Sequence, residues 1–365
     1  MTQSNLISRV IRTEILAMSA YKVADATGLI KLDAMENPYR WSETIKAKWL
    51  ELLKECQLNR YPDPEAKTLV ETLKQLTQLP DHFEILLGNG SDEIIQLLLM
   101  ALPEDSAVLA PAPGFVMYKQ ISDSLGLKYI GVPLLTEDFE LDLPAMLQAI
   151  EQYQPRVIFL AYPNNPTANL FNEAAITEII KASQGLVVID EAYAPFAGAS
   201  FIDQLNHYDN LLLMQTVSKL GLAGLRLGYL MGRADVIKQL NKIRLPYNIN
   251  SLTQVSAEFA LSNKFFFDEQ TQAICAERAI VLEALNDYEE IIAYPSAANF
   301  ILFKTPPGKA TDIFLSIKNQ GVLIKNMTSQ GGMLTDCLRV TIGTPEENKA
   351  FLKALRNSLK ELQQI

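Results

Sequence analysis

Apolar and polar positions along this chain follow two alternating rhythms. Within residues 66–79 the apolar residues Leu69, Val70, Leu73 and Leu76 recur every three or four positions, which predicts an amphipathic helix. A short apolar run at 84–87 then predicts a strand. The exchange continues with helices over 91–102 and 114–125 and strands over 107–110, 129–132, 157–161, 186–190, 211–215 and 228–231. Strands that are apolar throughout, separated by helical stretches, predict a mostly parallel sheet covered on both faces. Ligands of such sheets bind beyond the carboxyl ends of the strands, so the residues that follow each strand are the first candidates for chemistry.

From about residue 270 the rhythm changes. A helical stretch over 270–287 leads to strands at 300–303, 322–324 and 338–341 and helices at 311–319 and 346–362, the pattern of a smaller α+β lobe. Residues 1–20 mix Arg9, Arg12 and Glu14 among apolar positions and predict an amphipathic helix. The expected division is an N-terminal arm with part of the small domain at 1–44, a large domain at 45–265 with a seven-stranded sheet, and a C-terminal small domain at 266–365.

A length of 365 residues suits two lobes. The net charge of −10, with no basic block, argues against nucleic acid as a partner. No segment supplies the roughly 20 apolar residues of a membrane span. The three cysteines, Cys56, Cys275 and Cys337, stand far apart, which favours a reducing cytoplasm over a disulfide framework or a thiolate metal site. The only histidines, His82 and His207, lie in polar, loop-like contexts, so neither a histidine triad nor a zinc site is expected.

Four motifs carry candidate chemistry. Gly88-Asn89-Gly90-Ser91-Asp92-Glu93 joins a strand to an apolar helix; its free amides offer donors to an anion, although a plain helix cap accounts for it equally. It lacks the third glycine of a dinucleotide loop. Tyr162-Pro163-Asn164-Asn165-Pro166-Thr167 follows a strand and reads either as a rigid turn or as a source of an amide donor to a bound phenolate. The run ending in Asp190-Glu191 resembles the acidic strand end of nucleotide hydrolases, but no Gly-x-x-x-x-Gly-Lys-Ser/Thr loop precedes it. The alternative is an aspartate paired with a pyridinium nitrogen, which keeps that ring protonated and electron-withdrawing. Ser218-Lys219, followed by Gly221, Gly224 and Arg226, places an amine suited to imine chemistry and a planar cation suited to phosphate in one glycine-rich segment; a lone lysine is otherwise an ordinary solvated residue.

In this order, the motifs resemble those of the fold type I pyridoxal-phosphate enzymes over nearly the whole chain. The resemblance implies that Lys219 carries the cofactor as an imine and later moves the substrate's Cα proton. It implies that Asp190 holds the pyridine nitrogen, and that Asn165 and Tyr193 bond the ring's phenolic oxygen. Gly90, Ser91, Asp92, Thr216, Ser218 and Arg226 match phosphate-binding positions, and Phe115 matches the aromatic that stacks on the ring. Tyr61, in Arg60-Tyr61-Pro62, matches a tyrosine that reaches the phosphate from a second subunit, which implies a homodimer.

The segments Lys31 to Tyr39, Arg60-Tyr61-Pro62, Gly90 to Glu93 and Cys337 to Gly343 are similar to those of the histidinol-phosphate aminotransferases. That family exchanges the amino group of L-histidinol phosphate for the oxo group of 2-oxoglutarate, a step of histidine biosynthesis. Tyr21, Asn37, Lys325 and Arg339 match its substrate-binding positions. Aromatic amino-acid aminotransferases and threonine-phosphate decarboxylases share the scaffold and are the alternatives. Two departures stand out: Lys219 and Arg226 are one residue closer than in many relatives, and Lys325 stands where some have arginine.

Overall fold

The computed structural model describes residues 4–20 and 22–363. A two-residue strand, β1 (Ile30–Lys31), precedes seven strands that form one sheet: β2 (Phe83–Asn89), β3 (Ala107–Ala112), β4 (Lys128–Pro133), β5 (Val157–Ala161), β6 (Leu186–Asp190), β7 (Leu211–Thr216) and β8 (Leu227–Arg233). Their spatial order is β2-β8-β7-β6-β5-β3-β4. All adjacent pairs are parallel except those made by β8, which runs against both β7 and β2.

The continuous apolar character of the central strands is explained by burial on both sides. Ile158, Leu160, Val187, Ile189, Leu211 and Leu213 enter one core with Met146, Ile176 and Ile179 from helices. Their neighbours Phe159, Val188, Leu212 and Met214 enter the opposite core with Ile94, Ile95, Leu98 and Tyr118. Successive side chains of a strand point to opposite faces, so each strand needs apolar residues at every position.

The C-terminal part has its own antiparallel sheet, β12-β13-β10-β9, from β9 (Ile292–Ala293), β10 (Phe300–Lys304), β12 (Lys325–Asn326) and β13 (Cys337–Thr341). β11 (Val322–Leu323) pairs in parallel with β1. Leu32, Phe300, Phe303, Ile317, Val340, Phe351 and Leu355 are fully or almost fully buried in a third core here. The segment after β1 is stitched to this sheet. Thr341 N donates to Leu32 O at 2.9 Å, Met35 N to Thr341 Oγ1 at 2.9 Å, and Asn299 Nδ2 to Met35 O at 3.0 Å.

Two expectations change. The N-terminal helix is two short ones, Ser4–Val10 and Thr13–Ala17; Leu6, Ile7, Val10 and Ile11 remain exposed, and helices this short gain little without a packed face. The strand expected at 322–324 ends at Leu323 as β11, and Lys325–Asn326 form a separate strand, β12, in a different sheet.

Candidate active site

The carboxyl ends of β3, β5, β6 and β7 open on one cavity of ≈ 220 Å³. Because β8 is antiparallel, the residue at its start, Arg226, reaches the same edge as the residues at the other strands' ends. Ser91, Asp92, Phe115, Asn165, Asp190, Tyr193, Thr216, Ser218, Lys219 and Arg226 all line the cavity, and Ala34, Met35 and Glu36 close it from the segment stitched to the smaller sheet.

One group of lining residues suits an oxyanion. The turn after β2 delivers the start of the helix Ser91–Met100, whose first amides lack intrahelical partners. Gly90 has φ +77°, and a Cβ there would lie 2.6 Å from Arg226 Nη2. Gly228 is equally confined: its Cβ would meet Ser91 N at 2.6 Å. Glycine at both positions lets the amides, the arginine and β8 crowd together. Thr216 Oγ1 lies 2.9 Å from Ser218 Oγ, and the Ser218 amide donates to Thr216 Oγ1 at 3.1 Å. Arg226 Nη2 is 3.3 Å from Asp92 Oδ2, with the arginine side chain still half exposed. The shortened path from Lys219 to Arg226 folds as two 3-10 turns, Ser218–Leu220 and Ala223–Leu225, and ends with Arg226 at φ 48°, which brings both cations to the cavity.

The cavity also holds a buried acid. Asp190 is buried, and loss of solvent pushes its pKa up to about 6, against the downward pull of hydrogen bonds from Tyr118 and the Ala192 amide. Tyr118 Oη donates to Asp190 Oδ2 at 2.6 Å and Ala192 N to Oδ1 at 3.1 Å. Glu191, its neighbour in sequence, turns the other way. It accepts from Ser200 Oγ (2.9 Å), Phe201 N (2.6 Å) and Gln215 Nε2 (2.6 Å), as a buried carboxylate requires. The Asp-Glu pair thus separates into one cavity carboxylate and one structural carboxylate.

Lys219 also lines the cavity, its Nζ 3.4 Å from Ala34 O and 5.6 Å from the centre of the Tyr193 ring. Desolvation, then the charge of Arg339, lowers its pKa to about 8. Asn165 Nδ2 donates to Tyr193 Oη at 3.2 Å, and Arg339 Nη1 donates to Asn165 Oδ1 at 2.6 Å. Arg339, on β13, also bonds Asp33 O at 3.2 Å and lies over the Phe300 ring at 5.2 Å, so it approaches from the smaller sheet. Burial raises the pKa of Tyr193 and keeps its hydroxyl protonated.

The remaining predicted residues lie further out. Asn37 Nδ2 donates to Gln270 Oε1 at 3.0 Å and to Leu220 O at 3.4 Å, which ties it to the lysine's turn. Lys325 is the register partner of Arg339 across β12 and β13. Tyr61 is 80% exposed and stacks on Tyr247 at 4.5 Å, away from the cavity lining. Tyr21 lies outside the described residues. Tyr118 and Glu36 were missed. Tyr118 sits at a helical position that reads as core, three residues after Phe115; that interval, which puts both on one helix face, was the only available signal.

The residues present fit pyridoxal phosphate. The cavity is lined by a buried carboxylate, an amine of lowered pKa, an amide–phenol pair, and an arginine crowded against a glycine turn and the start of a helix.

The aminotransferase class I and II family model matches residues 27–355. Histidinol-phosphate aminotransferase 2 of Nitrosococcus oceani is 58% identical over 355 residues, covering 97% of this chain and 98% of that protein. A protein of the same name from Cupriavidus pinatubonensis is 48% identical over 363 residues, covering 98% of each. Among solved structures, histidinol-phosphate aminotransferase from Sinorhizobium meliloti, in complex with pyridoxal-5'-phosphate, superposes with a TM-score of 0.86 over 97% of this chain and 98% of that one; at 21% identity this likeness concerns the fold. The sheet and cavity are those of a class I and II aminotransferase, and the chain belongs to that family. Within it, the chain belongs with the histidinol-phosphate aminotransferases.

Proposed function

We propose that this chain binds pyridoxal phosphate and transfers the amino group of L-histidinol phosphate to 2-oxoglutarate, releasing imidazole acetol phosphate and L-glutamate in a ping-pong cycle of histidine biosynthesis. The observation that carries this reading is the convergence of Asp190, Lys219 and Arg226 on one cavity, with Arg339 facing it through Asn165.

When bound, pyridoxal phosphate supplies an aldehyde for the amino group and a ring that draws electrons from the carbon bearing it. Asp190 holds a proton on the ring nitrogen by charge pairing. Phe115 would pack on the ring, and Asn165 and Tyr193, already bonded to each other, would hold its phenolic oxygen. Ser91, Asp92, Thr216, Ser218 and Arg226 would hold the cofactor's phosphate. Lys219 Nζ takes the proton that leaves the amine-bearing carbon; its lowered pKa makes the neutral base accessible near neutral pH. Arg339 grips the substrate phosphate in one half-reaction and the α-carboxylate of glutamate in the other, since a planar guanidinium suits both anions. Lys325, its register partner, adds a second positive charge.

The enzyme acts as a cytoplasmic homodimer in this reading. The exposed apolar residues Leu58, Tyr61 and Leu245 support a covered surface, and the free cysteines support a reducing compartment. Among the described residues no helix is long and apolar enough to cross a membrane.

The test is the first half-reaction. L-Histidinol phosphate, added to the cofactor-loaded enzyme without an oxo acid, should abolish the visible cofactor band and form pyridoxamine phosphate, and 2-oxoglutarate should restore the band. Conversion by phenylalanine alone, or release of CO2 from threonine phosphate, would replace this substrate assignment.

A further inference from the structure

Asp190 and Phe115 both line the cavity, and Tyr118 touches both. Tyr118 is 1% exposed. Its ring stacks on Phe159 of β5 at 4.5 Å and 7°, and meets Phe115 edge to face at 5.4 Å and 86°. Its hydroxyl bonds Asp190 Oδ2 at 2.6 Å. The helix Val116–Leu125 begins directly after Phe115, so the ring-facing aromatic and Tyr118 belong to one rigid turn.

We infer that Tyr118 is a positioning residue for transamination: its hydroxyl fixes Asp190 in its ionised form and orientation for the cofactor's ring nitrogen, while its ring sets the angle of Phe115. This inference rests on the proposed cofactor chemistry. With Oδ2 held by Tyr118 and Oδ1 by the Ala192 amide, rotation of the carboxylate costs two hydrogen bonds, and its remaining lone pairs are aimed by the protein. Burial alone favours a neutral Asp190, which pairs poorly with a protonated ring; a hydroxyl donor counters that tendency. Burial and the adjacent carboxylate raise the pKa of Tyr118, so it keeps the proton it donates. A tyrosine that merely filled the core would orient its hydroxyl toward any acceptor, whereas this one meets the cavity's only lining aspartate that is buried.

Tyr118→Phe removes the hydroxyl and keeps the ring, so packing on Phe159 and Phe115 is preserved. Three readouts separate the roles. Pyridoxal-phosphate affinity, measured by fluorescence titration of the cofactor-free protein, should fall about tenfold, the scale of a hydrogen bond to a charged group. The acid limb of the kcat profile should move up by about one pH unit, because a carboxylate that loses a donor binds its proton more tightly. KM for histidinol phosphate should stay near the wild-type value. Unchanged affinity with an unchanged acid limb overturns the inference. So does weaker binding matched by an equal loss of thermal stability in the cofactor-free protein, which marks a purely structural tyrosine. Wild-type protein run in parallel keeps the questions apart: if it fails to bind pyridoxal phosphate, the proposed function falls; if it binds and Tyr118→Phe matches it throughout, only the tyrosine's role falls.

Discussion

Lys219 is the residue where sequence and environment agree most directly. Its segment was legible because a serine, a lysine, two glycines and an arginine occur in a fixed order after an apolar strand. What the order did not carry was the amine's environment. A lysine lining the cavity loses solvent and faces Arg339 from the other sheet, and both lower its pKa, to about 8. The neutral amine is the form that attacks an aldehyde, and its fraction rises as pH passes the pKa. The cofactor-free protein should therefore take up pyridoxal phosphate at a rate that climbs with pH through about 8 and then levels off. An ordinary lysine would keep climbing toward about 10.4. Stopped-flow absorbance over a pH series decides between them. Tyr118 shows the opposite case: a tyrosine at a helix-core position carries no local mark of the acid it meets 72 residues later.

At the scale of elements, the strands of the large sheet and the helices near 66–79, 91–102 and 114–125 followed from apolar periodicity, since burial on both faces requires it, whereas the helices Glu43–Lys54, Leu143–Tyr153, Glu173–Ala182, Ala234–Asn241 and Ser251–Ser262 were not read. The reversed direction of β8 did not, because an antiparallel central strand is as apolar as a parallel one. That reversal places Arg226 at the active edge, and its fit depends on Gly228. A Cβ on Gly228 would lie 2.6 Å from Ser91 N and 2.7 Å from the Gly90 carbonyl carbon, both of them backbone atoms that cannot rotate away. Gly228→Ala must push the β2 turn off β8, a rearrangement that costs about 1–3 kcal/mol. Because the displaced amides belong to the proposed phosphate cradle, cofactor affinity should fall about tenfold or more. Gly224, in the same segment, has no atom within 4 Å of an added Cβ. Gly224→Ala should leave affinity within about twofold, as expected of an open position. Equal affinities for the two variants in a fluorescence titration would show that the crowding at β8 is unrelated to cofactor binding.

The whole molecule brings residues of two sheets, the large one and the smaller antiparallel one, to one cavity and its surroundings, and this was only half legible. Motif order along the chain gave the candidate residues but not the spatial order β2-β8-β7-β6-β5-β3-β4, and although residues 1–44 were expected to join the small domain in part, nothing local marked Ala34, Met35 and Glu36 as a wall of the cavity. Tyr61 is the residue the single chain leaves unused: it is 80% exposed, stacked on Tyr247 and absent from the cavity wall. A tyrosine that serves a site must then serve one on a second copy, and in a two-fold dimer each subunit would lend its Tyr61 to the other. The assembled enzyme should sediment at about twice the 40.7 kDa chain mass. Mixing variants tests the exchange directly. Tyr61→Ala should weaken cofactor binding, and Lys219→Ala should abolish turnover by removing the base. In a hybrid of the two, the subunit that retains Lys219 receives an intact Tyr61 from its partner, so one of its two sites has no defect. Random reassociation of equal amounts should therefore recover about a quarter of wild-type sites, beyond the residual activity of Tyr61→Ala alone. If Tyr61 instead served its own subunit, every hybrid site would carry one lesion and mixing would restore nothing.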